Sequence, residues 1–155
     1  KLRPDTVRIY PTVIMKDTQL ADLYNSQRFI PYTLEQSVDL CSKLILKFKN
    51  ENIRIIRLGL HYSDSLENNS LGNNYHPAFK ELCENKIFLE KILELIKNYP
   101  DKEVDFFEAY VNPHSVSKLA GQNKSNINIL NSMGYKIKIK TDQRIDEYEI
   151  YIKQR

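Results

Sequence analysis

Tryptophan is absent from this 155-residue chain, glycine occurs four times and cysteine twice. So little glycine, with six prolines, excludes collagen-like repeats and low-complexity linkers. The two cysteines, Cys41 and Cys83, belong to no Cys-x-x-Cys or Cys/His spacing, so neither a disulfide framework nor a zinc site is signalled. No apolar run approaches the roughly 20 residues a membrane span needs. Sparse cysteine and the lack of a span lead to the expectation of a soluble cytoplasmic protein. G-x-S-x-G, P-loop, G-x-G-x-x-G and H-E-x-x-H patterns are missing too, so the chain carries no self-sufficient catalytic signature. It opens Lys1-Leu2-Arg3-Pro4-Asp5, with no initiator Met and no apolar leader, and reads as a piece of something longer.

What is present suffices for a folded core: 41% hydrophobic residues, with ten Tyr and six Phe supplying packing mass. Residues 6–15 (TVRIYPTVIM) read as a buried strand with Pro11 inside it, and a Lys16-Asp17-Thr18 turn at its end. Thr33 and Gln36 form a capping box ahead of Leu34, Val38, Cys41, Leu44, Ile45 and Phe48 at helical spacing, and residues 53–60 (IRIIRLGL) read as a second strand. Strand, helix and strand make a βαβ unit of a parallel sheet. Lys16, Thr18, His61 and Tyr62 then follow the carboxyl ends of the strands, where parallel α/β folds bind ligands.

Residues 63–76, rich in Asn, Ser and Gly, read as a loop between lobes, and a helix runs from Pro77 to about Asn98. Beyond it come a strand at 103–111, a helix at 114–120, a turn at 121–124, a helix at 125–133 and strands at 135–141 and 147–153. His76 and His114 sit at helix entrances and read as cap or packing residues. Glu35, Asp39, Glu81, Glu84, Glu90 and Glu94 read as solvated charge on helix faces.

The turn between the two short helices is the most informative element. Strand, helix, glycine-initiated turn, helix and strand is similar to a KH RNA-binding module, whose GXXG loop admits a nucleic acid backbone because glycine has no side chain. Here the loop is Gly121-Gln122-Asn123-Lys124, with the second glycine replaced. Residues 114–155 hold 8 basic and 4 acidic residues against 15 and 16 in residues 1–113, so the overall +3 conceals a basic end. Lys118, Gly121, Gln122, Asn123 and Lys124 are therefore the candidate RNA contacts. The simpler account of Lys136, Lys138 and Lys140 is a half-buried strand with lysines turned to water.

Val7-Arg8-Ile9-Tyr10-Pro11-Thr12-Val13-Ile14, Thr18-x-Leu20-x-x-Leu23-Tyr24, Tyr32-Thr33, Ile56-Arg57-Leu58-Gly59-Leu60 and Tyr75-His76-Pro77-Ala78-Phe79 resemble Elongator-type radical SAM proteins, especially bacterial members without an acetyltransferase domain. The resemblance implies an α/β fold. Residues 1–62 would be the closing βαβ repeats of a partial, TIM-like radical SAM barrel, 63–76 a loop, and 77–155 an α+β, KH-like extension. It further implies an intact enzyme that modifies tRNA with a [4Fe-4S] cluster and S-adenosylmethionine. The cluster motif is not in this chain, so the fragment is expected to bind neither and to be inactive alone. Lys16, Thr18, His61 and Tyr62 would line the pocket at the barrel mouth. The implied partners are the upstream half of the barrel, tRNA, and a second copy through the exposed barrel edge, with no membrane. The alternative is a non-catalytic module of KH type that binds protein or RNA.

Overall fold

The computed structural model describes residues 3–101 and 103–154. The chain is mixed α/β and divides into two compact units, Lys1–Cys83 and Glu84–Arg155. Among the described residues no helix is long and apolar enough to cross a membrane.

In the first unit, β1 (Thr6–Ile9) and β3 (Arg54–Leu58) pair in parallel, with Ile9 opposite Leu58 and a register shift between Val7 and Arg8. Parallel strands need a long crossover, and α2 (Leu34–Asn50) lies in that connection and packs against β3. Its start is fixed by the predicted capping box: the Gln36 N–H donates to Thr33 Oγ1 at 3.1 Å, and the Thr33 N–H donates to Gln36 Oε1 at 2.9 Å. Val38, Cys41, Ser42 and Ile45 form its buried stripe, and Ser42 Oγ donates to the Cys83 carbonyl at 3.0 Å.

The strand expected over residues 6–15 is instead two strands. Pro11 offers no N–H to a ladder, the chain leaves β1 after Ile9, and β2 (Ile14–Met15) pairs antiparallel with β4 (Ser70–Leu71). The break is fastened from outside the sheet: Asn74, 2% exposed, donates from Nδ2 to the carbonyls of Thr12 at 2.9 Å and Tyr32 at 3.2 Å. The loop expected over 63–76 likewise contains β4 and a short helix, α3 (Asp64–Asn69), after α1 (Gln19–Asn25) earlier in the unit. Ser63 caps α3 by accepting from the Leu66 N–H at 3.1 Å, with Asp64 and Glu67 in the first turn. None of its residues is buried, so it has no apolar period to betray it.

Helix α4 (Phe79–Lys97) carries the chain into the second unit. There β5 (Phe106–Val111) is the central strand, parallel to β6 (Lys136–Thr141) and antiparallel to β7 (Ile150–Gln154). Along β5 Phe107, Ala109 and Val111 are buried and alternate with half-buried residues. They meet Phe88, Ile92 and Ile96 of α4, Leu119 of α5 (Val116–Ala120), Leu130 of α6 (Ser125–Ser132) and Ile150 of β7 in one core. Strands β5 and β7 start three residues later than the sequence predicts. Before β7, the Glu149 N–H closes a turn on the Asp146 carbonyl at 3.0 Å.

Glu84, expected as solvated charge, is 8% exposed. It accepts from the Tyr148 hydroxyl at 2.6 Å, and the Lys118 ammonium lies 3.5 Å from the same oxygen and 4.8 Å from the Tyr148 ring centre. Burial, then the Glu84 carboxylate, push the Tyr148 phenol well above its ordinary pKa, so it stays a donor.

The turn after β6 carries a titration test. Arg144 donates to both Asp142 carboxylate oxygens, the shortest contact being 2.6 Å, and holds the carboxyl at about 2. A folded pKa below the unfolded one means the contribution is present above the ordinary carboxylate range and is lost as pH falls through about 2. Arg144→Ala is expected to move the Asp142 midpoint up toward about 4 in a carboxyl-carbon NMR titration. An unmoved midpoint would show that Arg144 is not the cause.

Candidate functional site

Two of the four candidate residues of the first unit, His61 and Tyr62, lie beyond the carboxyl end of β3. Gly59 follows β3 and closes on β1 through its N–H, which donates to the Ile9 carbonyl at 2.9 Å. His61 and Tyr62 come next, both exposed, and line one open hollow of about 300 Å³ with Arg57 of β3 and Lys80 of α4. The Tyr62 hydroxyl donates to Asp64 Oδ1 at 2.8 Å, and that bond, then Glu67, raises the phenol's pKa. Lys16 and Thr18 are engaged at the end of β2. Lys16 Nζ donates to the Asn68 carbonyl at 3.0 Å; Thr18 Oγ1 donates to the Met15 carbonyl at 2.7 Å and accepts from the Ala21 N–H at 3.2 Å as the cap of α1. The structure thus brings His61 and Tyr62 together in one hollow and gives Thr18 a capping task.

Sequence reasoning singled out neither Asn74 nor Tyr75. Both line a small cavity with Pro11, Gly59, Leu60 and His76, and there Asn74 Oδ1 and the Tyr75 hydroxyl are buried without a hydrogen-bond partner among the described residues. Buried polar atoms are ordinarily satisfied, so two orphans beside the strand ends mark a polar spot inside the unit. His76 acts as a cap, its Nδ1 accepting from the Ala78 N–H at 3.1 Å. Arg57 and Lys80 went unmarked as site residues because nothing in one sequence shows that a strand cation and a helix cation share a hollow.

A separate cleft of about 450 Å³ lies between the end of β1 and α2, lined by Tyr10, Pro11, Ile30, Tyr32, Leu40 and Cys41 among others. Ile30 is 86% exposed and Tyr32 60%, an unusual outlay of apolar surface. Cys41 and Cys83 are both buried, and the Cys83 thiol, hydrogen-bonded to Cys41, lowers the Cys41 pKa against the opposing effect of burial. An iron–sulfur cluster takes about four thiolates around an open space. These two cysteines are packed between helices, and among the described residues no group of three or more His, Cys, Asp or Glu could hold a metal ion. The residues of this chain do not fit the cluster.

In the second unit the turn Gly121-Gln122-Asn123-Lys124 closes when the Lys124 N–H donates to the Gly121 carbonyl at 2.9 Å. Gly121 has φ +78°, and an added Cβ would strike Ser125 Oγ and lie 2.7 Å from the Asn126 backbone nitrogen. Asn123 (φ 51°) and Lys124 (φ 62°) are both left-handed, a conformation that glycine adopts most easily. Lys124 and Asn123 are exposed and Gln122 half-buried. Lys118 differs: its side chain is 15% exposed, with Glu84 at 3.5 Å and Glu147 at 3.9 Å, so carboxylates of its own unit meet its charge. Lys136 and Lys138 are exposed and Lys140 lies 4.0 Å from Glu108, while Ile137 and Ile139 pack on the core.

No curated protein and no solved structure matches the chain. The family model of the Radical_SAM C-terminal domain matches residues 4–88, which hold the parallel β1–α2–β3 unit, the strand-end hollow and the start of α4. That domain implies S-adenosylmethionine and an iron–sulfur cluster for the intact enzyme. With more than half of its residues in the match, the chain belongs to the Radical_SAM C-terminal domain family.

Proposed function

We propose that this chain is the C-terminal part of an Elongator-like radical SAM enzyme that modifies tRNA, with residues 1–62 closing a partial barrel and residues 77–155 presenting RNA in the manner of a KH module. The observation that carries the reading is the family match over a parallel βαβ unit, because parallel α/β units bind ligands at the carboxyl ends of their strands. Lys16, Thr18, His61 and Tyr62 then belong to the barrel mouth. The unpartnered Asn74 Oδ1 and Tyr75 hydroxyl line a cavity of about 10 Å³ next to Gly59 and Leu60, an acceptor and a donor for one water at the strand end. The upstream half of the barrel is the partner for the apolar cleft along β1. Since the cysteines here do not fit the cluster, no chemical step is assigned to this chain.

For the second unit the support is the order strand, helix, glycine turn, helix, strand, together with the exposed Lys124 at the start of α6 and the lysine face of β6. Phosphate contacts by Lys124, Lys136 and Lys138 would dominate affinity and make it salt-dependent. In a gel shift with bulk tRNA, Lys124→Glu is expected to weaken binding about tenfold and to flatten the salt dependence. Lys118→Glu would act through the fold, since Lys118 is ion-paired inside the unit. Equal, negligible binding by wild type and Lys124→Glu would sink the RNA contact and leave the protein-binding alternative.

A further inference from the structure

Arg57 is a guanidinium in an apolar strand. It is half-buried, and among the described residues it has neither an ion pair nor a hydrogen bond from its side chain. The register of the parallel pair sets Arg8, also without a carboxylate, directly opposite it. Arg8 is exposed and hydrated, whereas the half-buried Arg57 guanidinium is only partly hydrated. Here the hollow beside β3 is lined by Arg57, His61, Tyr62, Pro77 and Lys80 with apolar strand residues, and no Asp or Glu lines it. Its far wall is the beginning of α4, a helix of 19 residues whose positive end adds to the same sign.

We propose that this hollow binds a phosphate group, held by the Arg57 guanidinium in bidentate fashion with Lys80 adding a second positive charge, the His61 imidazole beside it and Tyr62 at its rim. Arg supplies a planar fork that matches two phosphate oxygens, and about 300 Å³ admits a phosphate with part of the ester group it carries. A phosphate in the hollow would then neutralise the half-buried Arg57, while Arg8 stays in water. The proposal adds a ligand chemistry to the strand-end hollow and needs neither the cluster nor the RNA role of the Gly121 turn.

The test uses the whole chain and watches its amide and arginine side-chain NMR signals during titration with inorganic phosphate, uridine monophosphate and an eight-nucleotide oligouridylate. Saturable, millimolar binding of inorganic phosphate is expected, with shifts centred on Arg57, His61 and Lys80. Arg57→Gln weakens it about tenfold or more, Arg57→Lys less, and Lys47→Gln, at an exposed lysine of α2 outside the hollow, leaves it unchanged. Tighter binding of the monophosphate assigns the hollow to a small nucleotide, and tighter binding of the oligomer assigns it to a phosphodiester backbone. Should Arg57→Gln lose its dispersed spectrum, Lys80→Gln carries the same expectation. Non-saturable shifts, or equal weakening by Arg57→Gln and Lys47→Gln, would overturn the proposal as diffuse charge attraction. Failure of tRNA binding with intact phosphate binding would sink the RNA reading alone.

Discussion

Gly121→Ala is expected to lower the stability of the second unit by about 3 kcal/mol or more, because two penalties fall on one methyl group. At φ +78° and ψ 159° the residue occupies a region that is open almost to glycine alone. The added Cβ would also lie 2.7 Å from the Asn126 backbone nitrogen and collide with Ser125 Oγ. Backbone at the start of α6 cannot swing aside cheaply: the Asn126 side chain is 3% exposed and donates to the Asn85 carbonyl at 2.8 Å and to the Lys118 carbonyl at 3.3 Å. Gly134 is the control. Its φ is +91°, but nothing lies within 4 Å of its Cβ position, so Gly134→Ala should cost only about 1–2 kcal/mol of conformational strain. Urea unfolding followed by circular dichroism separates the two; equal losses would mean that the close approach at Gly121 contributes nothing. The same geometry bears on the RNA reading, since the glycine is required by the packing of α6 whether or not a nucleic acid approaches it.

The legible parts of this chain were those where local chemistry and global packing agree. Thr33 and Gln36 announce the start of α2 because both halves of the capping box are made by side chains three residues apart. The β1–α2–β3 order follows from two apolar, β-branched runs separated by a helical stripe, and the parallel pairing follows from the length of the crossover. The failures have a common cause in long-range contacts. Nothing local says that the run from Thr6 to Met15 must break: a strand edge tolerates Pro11, and what fastens the break is Asn74, more than sixty positions away. Helix α3 has a cap and first-turn acids but no buried residue, so composition alone paints it as loop. Glu84 looks solvated on a helical wheel, yet Tyr148 and Lys118 arrive from distant sequence to bury it. The site divides in the same way. The place of His61 and Tyr62 after a strand was legible, whereas Arg57 and Lys80 join them along one hollow only when the first unit folds.

Phe107→Ala is the substitution expected to cost most. Phe107 is 1% exposed at the centre of β5, edge-on to Tyr99 with ring centres 5.1 Å apart, and packed in the core with Phe88, Leu119 and Leu130. Truncating a fully buried phenylalanine removes its transfer free energy and leaves a cavity, together about 3–5 kcal/mol. A unit of 72 residues holds about 4–11 kcal/mol in all, so the variant should populate the unfolded state measurably at room temperature. Phe106 is the neighbour that decides whether the reason is right. In a strand successive side chains point to opposite faces, and Phe106 is half-buried on the face away from that core. Phe106→Ala should cost about 1–2 kcal/mol. Thermal unfolding of the two variants side by side therefore tests the register of β5, since slipping it by one residue would exchange the two faces. A larger loss from Phe106→Ala than from Phe107→Ala would place the core on the other side of the sheet and, with it, move Lys136 and Lys138 from water to the interior.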